Sequence, residues 1–227
     1  MNHGTLSIVA TPIGNLEDIT LRALRILKEA EYIACEDTRV TKKLLTHYSI
    51  HTPVISYHAH STGAQTNRVF TLLKEGKRVA LVTDAGTPGI SDPGLELVAK
   101  VRDTYPEVMI EAIPGPSALT AALSISGLHT QPCTFYGFLP QKKGREKLFA
   151  AMEADPHASI FYESPHRIMK ALESLMRTSP ARRIGIFREL TKLHEESMVG
   201  TPEQLRALLE AQPEKQRGEF VVVIEAR

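Results

Sequence analysis

Apolar residues in this 227-residue chain fall into short runs separated by polar, turn-rich stretches, a spacing that alternates strands with helices. The central run is Val79-Ala80-Leu81-Val82, continuous as in a parallel strand buried on both faces. It gives way to Asp84, Gly86, Pro88, Gly89, Pro93 and Gly94, and then to a helix-like stretch over Leu95–Lys100. A strand-to-helix connection ordinarily takes roughly two to six residues. This one is about twice as long, polar and glycine-rich, which predicts a ligand loop at the carboxyl end of a strand.

The same alternation runs to either side. Leu6–Ala10 reads as a first strand ending in Thr11-Pro12-Ile13-Gly14, with Asp18 and Thr20 placed to cap a helix over Leu21–Ala30. Tyr32–Cys35 is a second strand, running into Glu36-Asp37-Thr38-Arg39 and a helix over Val40–Tyr48. Val54–Tyr57 is a third, followed by His58-Ala59-His60 and a helix over Gln65–Lys74. Met109–Ile113 is broken by Pro114-Gly115-Pro116 before a small-residue helix over Ala118–Ser126. In the second half, strands are predicted at Cys133–Leu139, Ser159–Tyr162, Arg183–Phe187 and Glu219–Glu225. Helices there end at Ala154 and span Ile168–Met176, and Pro140–Lys147 reads as a basic loop carrying Lys142, Lys143, Arg145 and Lys147. The fold class is therefore α/β in two domains, 1–115 with a mainly parallel sheet and 116–227 with a mixed one.

Composition narrows the chemistry. A 42% hydrophobic and 23% charged chain is globular, and 27 basic against 26 acidic residues remove any global polyanion-binding signature while leaving local patches open. Cys35 and Cys133 lack metal-ligand spacing, which predicts a reduced cytoplasmic setting, and no apolar run approaches membrane-spanning length. His58 and His60 have no further Cys, His or acid cluster, so no metal is expected. The first strand's loop is not GxGxxG, and no P-loop lysine follows, which leaves a dinucleotide or triphosphate site unsupported. Acids stand beside bases at three strand ends: Glu36, Asp37 and Arg39; Glu163 and Arg167; Arg188, Glu189 and Lys192. One such pair is a surface salt bridge by default, and Asp37 or Thr38 equally suits a helix N-cap. Three pairs together with the Asp84 loop point to one shared cleft between two α/β halves.

Several long stretches carry a family resemblance: VATPIGNLEDITLRALRILKEA (9–30), CEDTR (35–39), SYHAH (56–60), VTDAGTPGISDPG (82–94), IPGPSALTAALSISGL (113–128), GFLP (137–140), FYESPHR (161–167), RELTKLHEE (188–196) and GEFVVVIE (218–225). In order and over nearly the whole chain, they resemble the bacterial 16S ribosomal RNA cytidine 2′-O-methyltransferases, a branch of the tetrapyrrole-methylase-like, class III S-adenosylmethionine enzymes. The resemblance implies two α/β domains with the donor in the cleft between them, a homodimer, and a cytidine ribose of the small ribosomal subunit as acceptor. It places the donor against Asp84, Ala85, Gly86, Thr87 and Ile90, against Pro114, Ser117 and Ala118, and near Tyr162 and Leu190. Pro12 and its neighbours would border the sulfonium and the acceptor. TPIGNLED stands where tetrapyrrole-methylating relatives often carry a more glycine-rich loop, and this favours the RNA-modifying branch.

A ribose 2′-hydroxyl is a poor nucleophile until hydrogen-bonded or deprotonated. Glu36, Asp37, His58, Glu189 and Lys192 are the candidates, with an acid of CEDTR or Glu189 as base or ribose anchor. Arg39, Arg167, Arg188 and Lys192 would meet phosphates, as would His58 and the Lys142, Lys143 and Arg145 loop. Tyr57 or Tyr162 would stack on a base or on adenine, or pack in a core. Two other readings remain: a methylase of a small precorrin- or porphyrin-like heterocycle, and a non-catalytic ribosome assembly factor. An assembled small subunit, whose shape adds contacts, suits a near-neutral chain better than naked RNA.

Overall fold

Strict two-residue alternation decides how the first sheet is buried. The computed structural model describes residues 4–57, 64–92 and 94–227, without the side chains of 64–67. His58, His60 and Pro93 therefore lie outside the described residues. The chain divides into two compact units, Met1–Ser117 and Ala118–Arg227.

The first unit runs β1 (Thr5–Val9), α1 (Leu21–Glu29), β2 (Tyr32–Cys35), α2 (Thr38–His47), β3 (Val54–Ser56), α3 (Ala64–Lys74), β4 (Arg78–Leu81), α4 (Gly94–Thr104) and β5 (Met109–Ile113). Its five strands are all parallel, in the order β3-β2-β4-β1-β5. Along β4 and the residue after it, Ala80 and Val82 join a core with Ala23 and Leu27 of α1 and Leu44 and Leu45 of α2. Val79 and Leu81 join the opposite core with Val69 and Leu73 of α3 and Leu97 and Val101 of α4. Both faces are covered, and hence the run contains no polar position. Thr20, rather than Asp18, caps α1, its hydroxyl accepting from the Ala23 N–H at 3.0 Å.

The strand order creates a crevice. From β1 the chain crosses over β4 to reach β2, whereas from β4 it crosses over β1 to reach β5. The loops after these adjacent strands depart in opposite directions, the topological switch point where open parallel sheets bind ligands.

The second unit runs α5 (Ala118–Ile125), β6 (Cys133–Phe138), α6 (Arg145–Ala154), β7 (Ala158–Glu163), α7 (Ile168–Thr178), β8 (Ile184–Arg188), β9 (Glu196–Gly200), α8 (Pro202–Ala211) and β10 (Phe220–Ile224). Its sheet is mixed, in the order β6-β7-β10-β8-β9, with β6 parallel to β7 and the other pairs antiparallel. Phe149, Leu172, Leu175, Leu205 and Leu209 of the three helices after β6 pack on Phe161, Ile186 and Val222 of the sheet. The expected parallel and mixed sheets are both present. Two elements were not anticipated, β9 and α8. Strand β9 is an edge strand with only Met198 buried, so its sequence, ESMVG, lacks an apolar run. Helix α8 did have a signature, a capping box in which Thr201 accepts from the Gln204 N–H and Gln204 accepts from the Thr201 N–H. No helix among the described residues is long and apolar enough to cross a membrane.

Thr201→Ala removes that cap and should lower the unfolding free energy by about 1 kcal/mol in urea titration. An unchanged midpoint would mean that α8 is held by packing alone.

Candidate active site

Three segments of the first unit meet at the carboxyl ends of β1, β4 and β5. Thr11 and Gly86 exchange backbone hydrogen bonds, Thr11 N to Gly86 O at 2.9 Å and Gly86 N to Thr11 O at 3.0 Å. The Thr11 hydroxyl, fully within the protein, donates to Thr83 O at 3.0 Å. Gly86 holds φ at +83°, and a Cβ there would meet Ile13 Cγ2 at 3.4 Å. The left-handed backbone favours glycine, whereas the Ile13 contact is an ordinary one. Thr87 donates from its hydroxyl to Pro116 O at 3.1 Å, and Ala10 N donates to Ile113 O at 3.2 Å. A Cβ on Gly115 would lie 3.0 Å from that of Ala10, so the Pro114–Ser117 segment starts close beside the first loop.

Further along the central loop, Asp92 acts as an internal brace. Its Oδ1 accepts from Gly89 N and Gly94 N, both at 2.9 Å, turning the chain into α4. Asp92 has a local signature, since Ser-Asp-Pro-Gly before a helix is a capping pattern. What the braces leave outward are Asp84, Ala85 and Ile90, all exposed, with Thr87 and Pro12 half-buried. Pro114 and Gly115 are exposed, and Ser117 is half-buried. These groups fit a small zwitterionic cofactor: a carboxylate for a cationic end, peptide groups, and the apolar Ile90 side chain. Ala118 opens α5 in the second unit and is half-buried.

The acids at the end of β2 part company. Asp37 caps α2, its Oδ1 accepting from Arg39 N at 2.8 Å, and it pairs with the Arg39 guanidinium, Oδ2 to Nη2 at 2.6 Å. Those bonds hold its carboxyl at about 2. Asp37 N donates to Asp84 Oδ1 at 3.2 Å, which links this corner to the central loop. Glu36 is exposed and, among the described residues, takes part in no ion pair. It lines a small cavity at the strand ends with Tyr57, Thr83 and Asp92. Burial, with a smaller push from the charge of Glu96, raises the Tyr57 hydroxyl above its ordinary value.

In the second unit most of the candidate cations serve the fold. Arg145 is buried in the first turn of α6, not on a loop; its guanidinium bonds Glu163 at 2.5 Å and lies over Phe149. Arg167 Nε lies 2.8 Å from the other oxygen of Glu163. Arg188 is buried and gives its protons to Arg217 O, His194 O, Glu214 O and the Glu196 carboxylate. Arg145 and Arg188 are thus buried structural groups, since leaving a buried ion without its partner costs about 3–5 kcal/mol, whereas Arg167 is half-buried. Of the candidate cations on the loop before α6, Lys142 and Lys143 stand exposed. Tyr162 is half-buried and edge-on to Phe135 and Phe138.

Leu190 is buried between two residues in the left-handed region, Glu189 at φ +51° and Thr191 at φ +66°. Glu189 Oε1 accepts from Lys192 Nζ and from Glu219 N, both at 2.9 Å, and Lys192 Nζ also reaches Glu219 Oε2 at 2.8 Å. Burial pushes the Glu189 carboxyl up, but the Lys192 and Glu219 hydrogen bonds outweigh it and leave the group below its ordinary value. Burial likewise pulls Lys192 down, yet Glu219 and Glu189 carry it above the usual lysine value. A lysine so held stays protonated at neutral pH and cannot take a proton. Each acid–base pair read from the strand ends is a local ion pair within its own unit, and Arg188 pairs with Glu196 instead of Glu189.

The family model of the tetrapyrrole (corrin/porphyrin) methylases matches residues 5–206. A protein of Halalkalibacterium halodurans named ribosomal RNA small subunit methyltransferase I is 47% identical over 225 residues, 99% of this chain and 76% of that one. Its namesake in Thermotoga maritima is 41% identical, with 99% of each chain covered. Among solved structures, diphthine synthase superimposes with a TM-score of 0.75 at 16% identity, covering 98% of this chain and 90% of that one. A cobalt precorrin-4 methyltransferase superimposes with a TM-score of 0.71 at 18% identity, covering 97% and 94%. At those identities the two structures speak to the fold alone.

Gly218 offers a test of how Glu189 is seated in the second unit. It holds φ at +96°, and a Cβ there would lie 2.5 Å from Glu189 Cγ. Gly218→Ala should lower stability by about 1–2 kcal/mol from backbone strain alone, and more from displacing Glu189. Adding Glu189→Ala should relieve the second part, so that the double variant loses less than the sum in urea unfolding. Simple additivity would mean that Glu189 is not seated over Gly218.

Proposed function

The chain belongs to the ribosomal RNA small subunit methyltransferase I family, within the tetrapyrrole methylase class, and on that premise we propose that it methylates a cytidine ribose 2′-oxygen in the decoding region of small-subunit ribosomal RNA. The observation that carries the reading is the braced loop at the switch point, whose exposed Asp84 and Ala85 stand over a carboxylate-bearing corner. The name shared by the relatives supports the RNA acceptor. The reading includes a homodimer, drawn from the family resemblance, an assembled subunit as substrate, which suits the near-neutral charge, and a cytoplasmic setting, which suits two cysteines without metal-ligand spacing.

When bound, S-adenosylmethionine supplies a methyl group on a sulfonium sulfur. Asp84, Ala85, Gly86, Thr87 and Ile90 hold that donor, with Pro12, Pro114 and Ser117 beside it. Positioning supplies much of the acceleration of an in-line displacement, and a rigid loop suits that role. Glu36 is the group that orients the ribose hydroxyl and takes its proton. Asp37, Glu189 and Lys192 are less suited to it: the first two are weak bases held by ion pairs, and the third is already protonated. Lys142, Lys143 and the exposed Arg39 meet phosphates.

The test is transfer of labelled methyl from S-adenosylmethionine to small ribosomal subunits lacking the modification, followed by nuclease mapping. Label on a ribose 2′-oxygen is expected, with Glu36→Gln losing roughly 10²- to 10⁴-fold in kcat at unchanged donor affinity. Label on a base, or donor binding without any label on RNA, would overturn the ribose assignment; the latter would favour a small heterocycle as acceptor. Full turnover by Glu36→Gln would remove Glu36 from the chemistry.

A further inference from the structure

Glu163 sits at the end of β7 and is 1% exposed, too deep to meet substrate. Its two oxygens gather both ends of the basic loop. Oε2 accepts from Arg145, the first residue of α6, and Arg145 also donates to Pro140 O at 3.3 Å. On the other side, Oε1 lies 2.8 Å from Arg167 Nε and accepts from Ser164 N at 2.8 Å, while Arg167 donates to Leu139 O at 3.0 Å. The carbonyls at the root of the loop thus accept from two guanidinium groups; both pair with the Glu163 carboxylate, and Arg167 Nε also donates to Ser164 Oγ at 3.1 Å. Gly144, with φ at +88°, then turns the chain into α6. Between these anchors Lys142 and Lys143 stand exposed and, among the described residues, in no ion pair. Adjacent like charges repel, and ordering them on a free loop at the moment of binding carries an entropic cost.

We infer that Glu163 is a positioning residue for the RNA phosphodiester backbone, acting through Arg145 and Arg167 to present Lys142 and Lys143 in a fixed geometry. This rests on the RNA-acceptor reading above. A carboxylate that merely stabilised the core would alter unfolding and leave the ionic contacts to RNA as they are. The two roles separate in salt dependence, because each phosphate neutralised adds roughly 0.7–0.9 to the slope of log affinity against log salt.

The experiment measures binding of small ribosomal subunits, and methyl transfer to them, across about 50 to 200 mM salt. In wild type the two lysines together account for about an eight-fold share of the affinity lost over that range. Lys142→Ala/Lys143→Ala should flatten the slope by about 1.5. Glu163→Gln should flatten it by a comparable amount, raise KM for the subunit and leave donor affinity unchanged. Combining all three changes should flatten it little further. Should Glu163→Gln fail to fold, Arg167→Lys keeps the charge but loses the fork that spans Glu163 and Leu139. It too should flatten the slope, whereas a direct phosphate contact by Arg167 would survive that exchange. A wild-type slope in folded Glu163→Gln or in Arg167→Lys, or flattening that simply adds, would overturn the inference while wild-type methylation of the subunit left the RNA reading standing. Absence of methyl transfer to subunits by the wild-type protein would overturn both.

Discussion

The paired backbone hydrogen bonds between Thr11 and Gly86 are the contact on which the arrangement of the first unit's loops depends. Adjacent parallel strands whose connections leave in opposite directions would otherwise part at their carboxyl ends. The bridge ties the two departing loops together, Thr11 closes it from beneath through Thr83 O, and Thr87 ties it to Pro116. Glycine at position 86 follows from the bridge: φ of +83° is a conformation that a residue with a Cβ rarely adopts. Asp92 then returns the chain to α4, so that a long connection is held in one conformation without regular structure.

Charge is distributed with the same economy of position. Most of the acids and bases that cluster at strand ends are consumed in holding loops: Asp37 with Arg39, Glu163 with two arginines, Arg188 with Glu196, Glu189 with Lys192. A carboxylate held well below its ordinary value is a poor proton acceptor, and a lysine held above its own is none at neutral pH. The groups that take part in no ion pair among the described residues are therefore the informative ones. In the first unit the exposed Glu36 beside a small cavity is such a group, and in the second Lys142 and Lys143 are.

Much of the fold was legible because burial on both faces leaves a continuous apolar run, as at Val79–Val82, and because turn residues punctuate the chain. Strand β9 escaped because an edge strand buries one residue and needs no apolar run. Helix α8 was legible in Thr201-Pro202-Glu203-Gln204 and was passed over. For the site, residue type located the strand-end clusters but could not say which side chains turn inward. Arg145 and Lys143 look alike in a basic stretch, yet one is buried against Glu163 and Phe149 and the other faces solvent. Pairing across the chain, such as Arg188 with Glu196 over a loop, is set by tertiary structure and leaves no local trace.

The most direct measurement is hydrogen exchange of the backbone amides with and without S-adenosylmethionine. Slowed exchange over residues 84–90, accompanied by 11–14 and 114–117, is the result expected if the braced loop holds the donor. Donor binding that protected other segments while leaving 84–90 unchanged would contradict the proposed site.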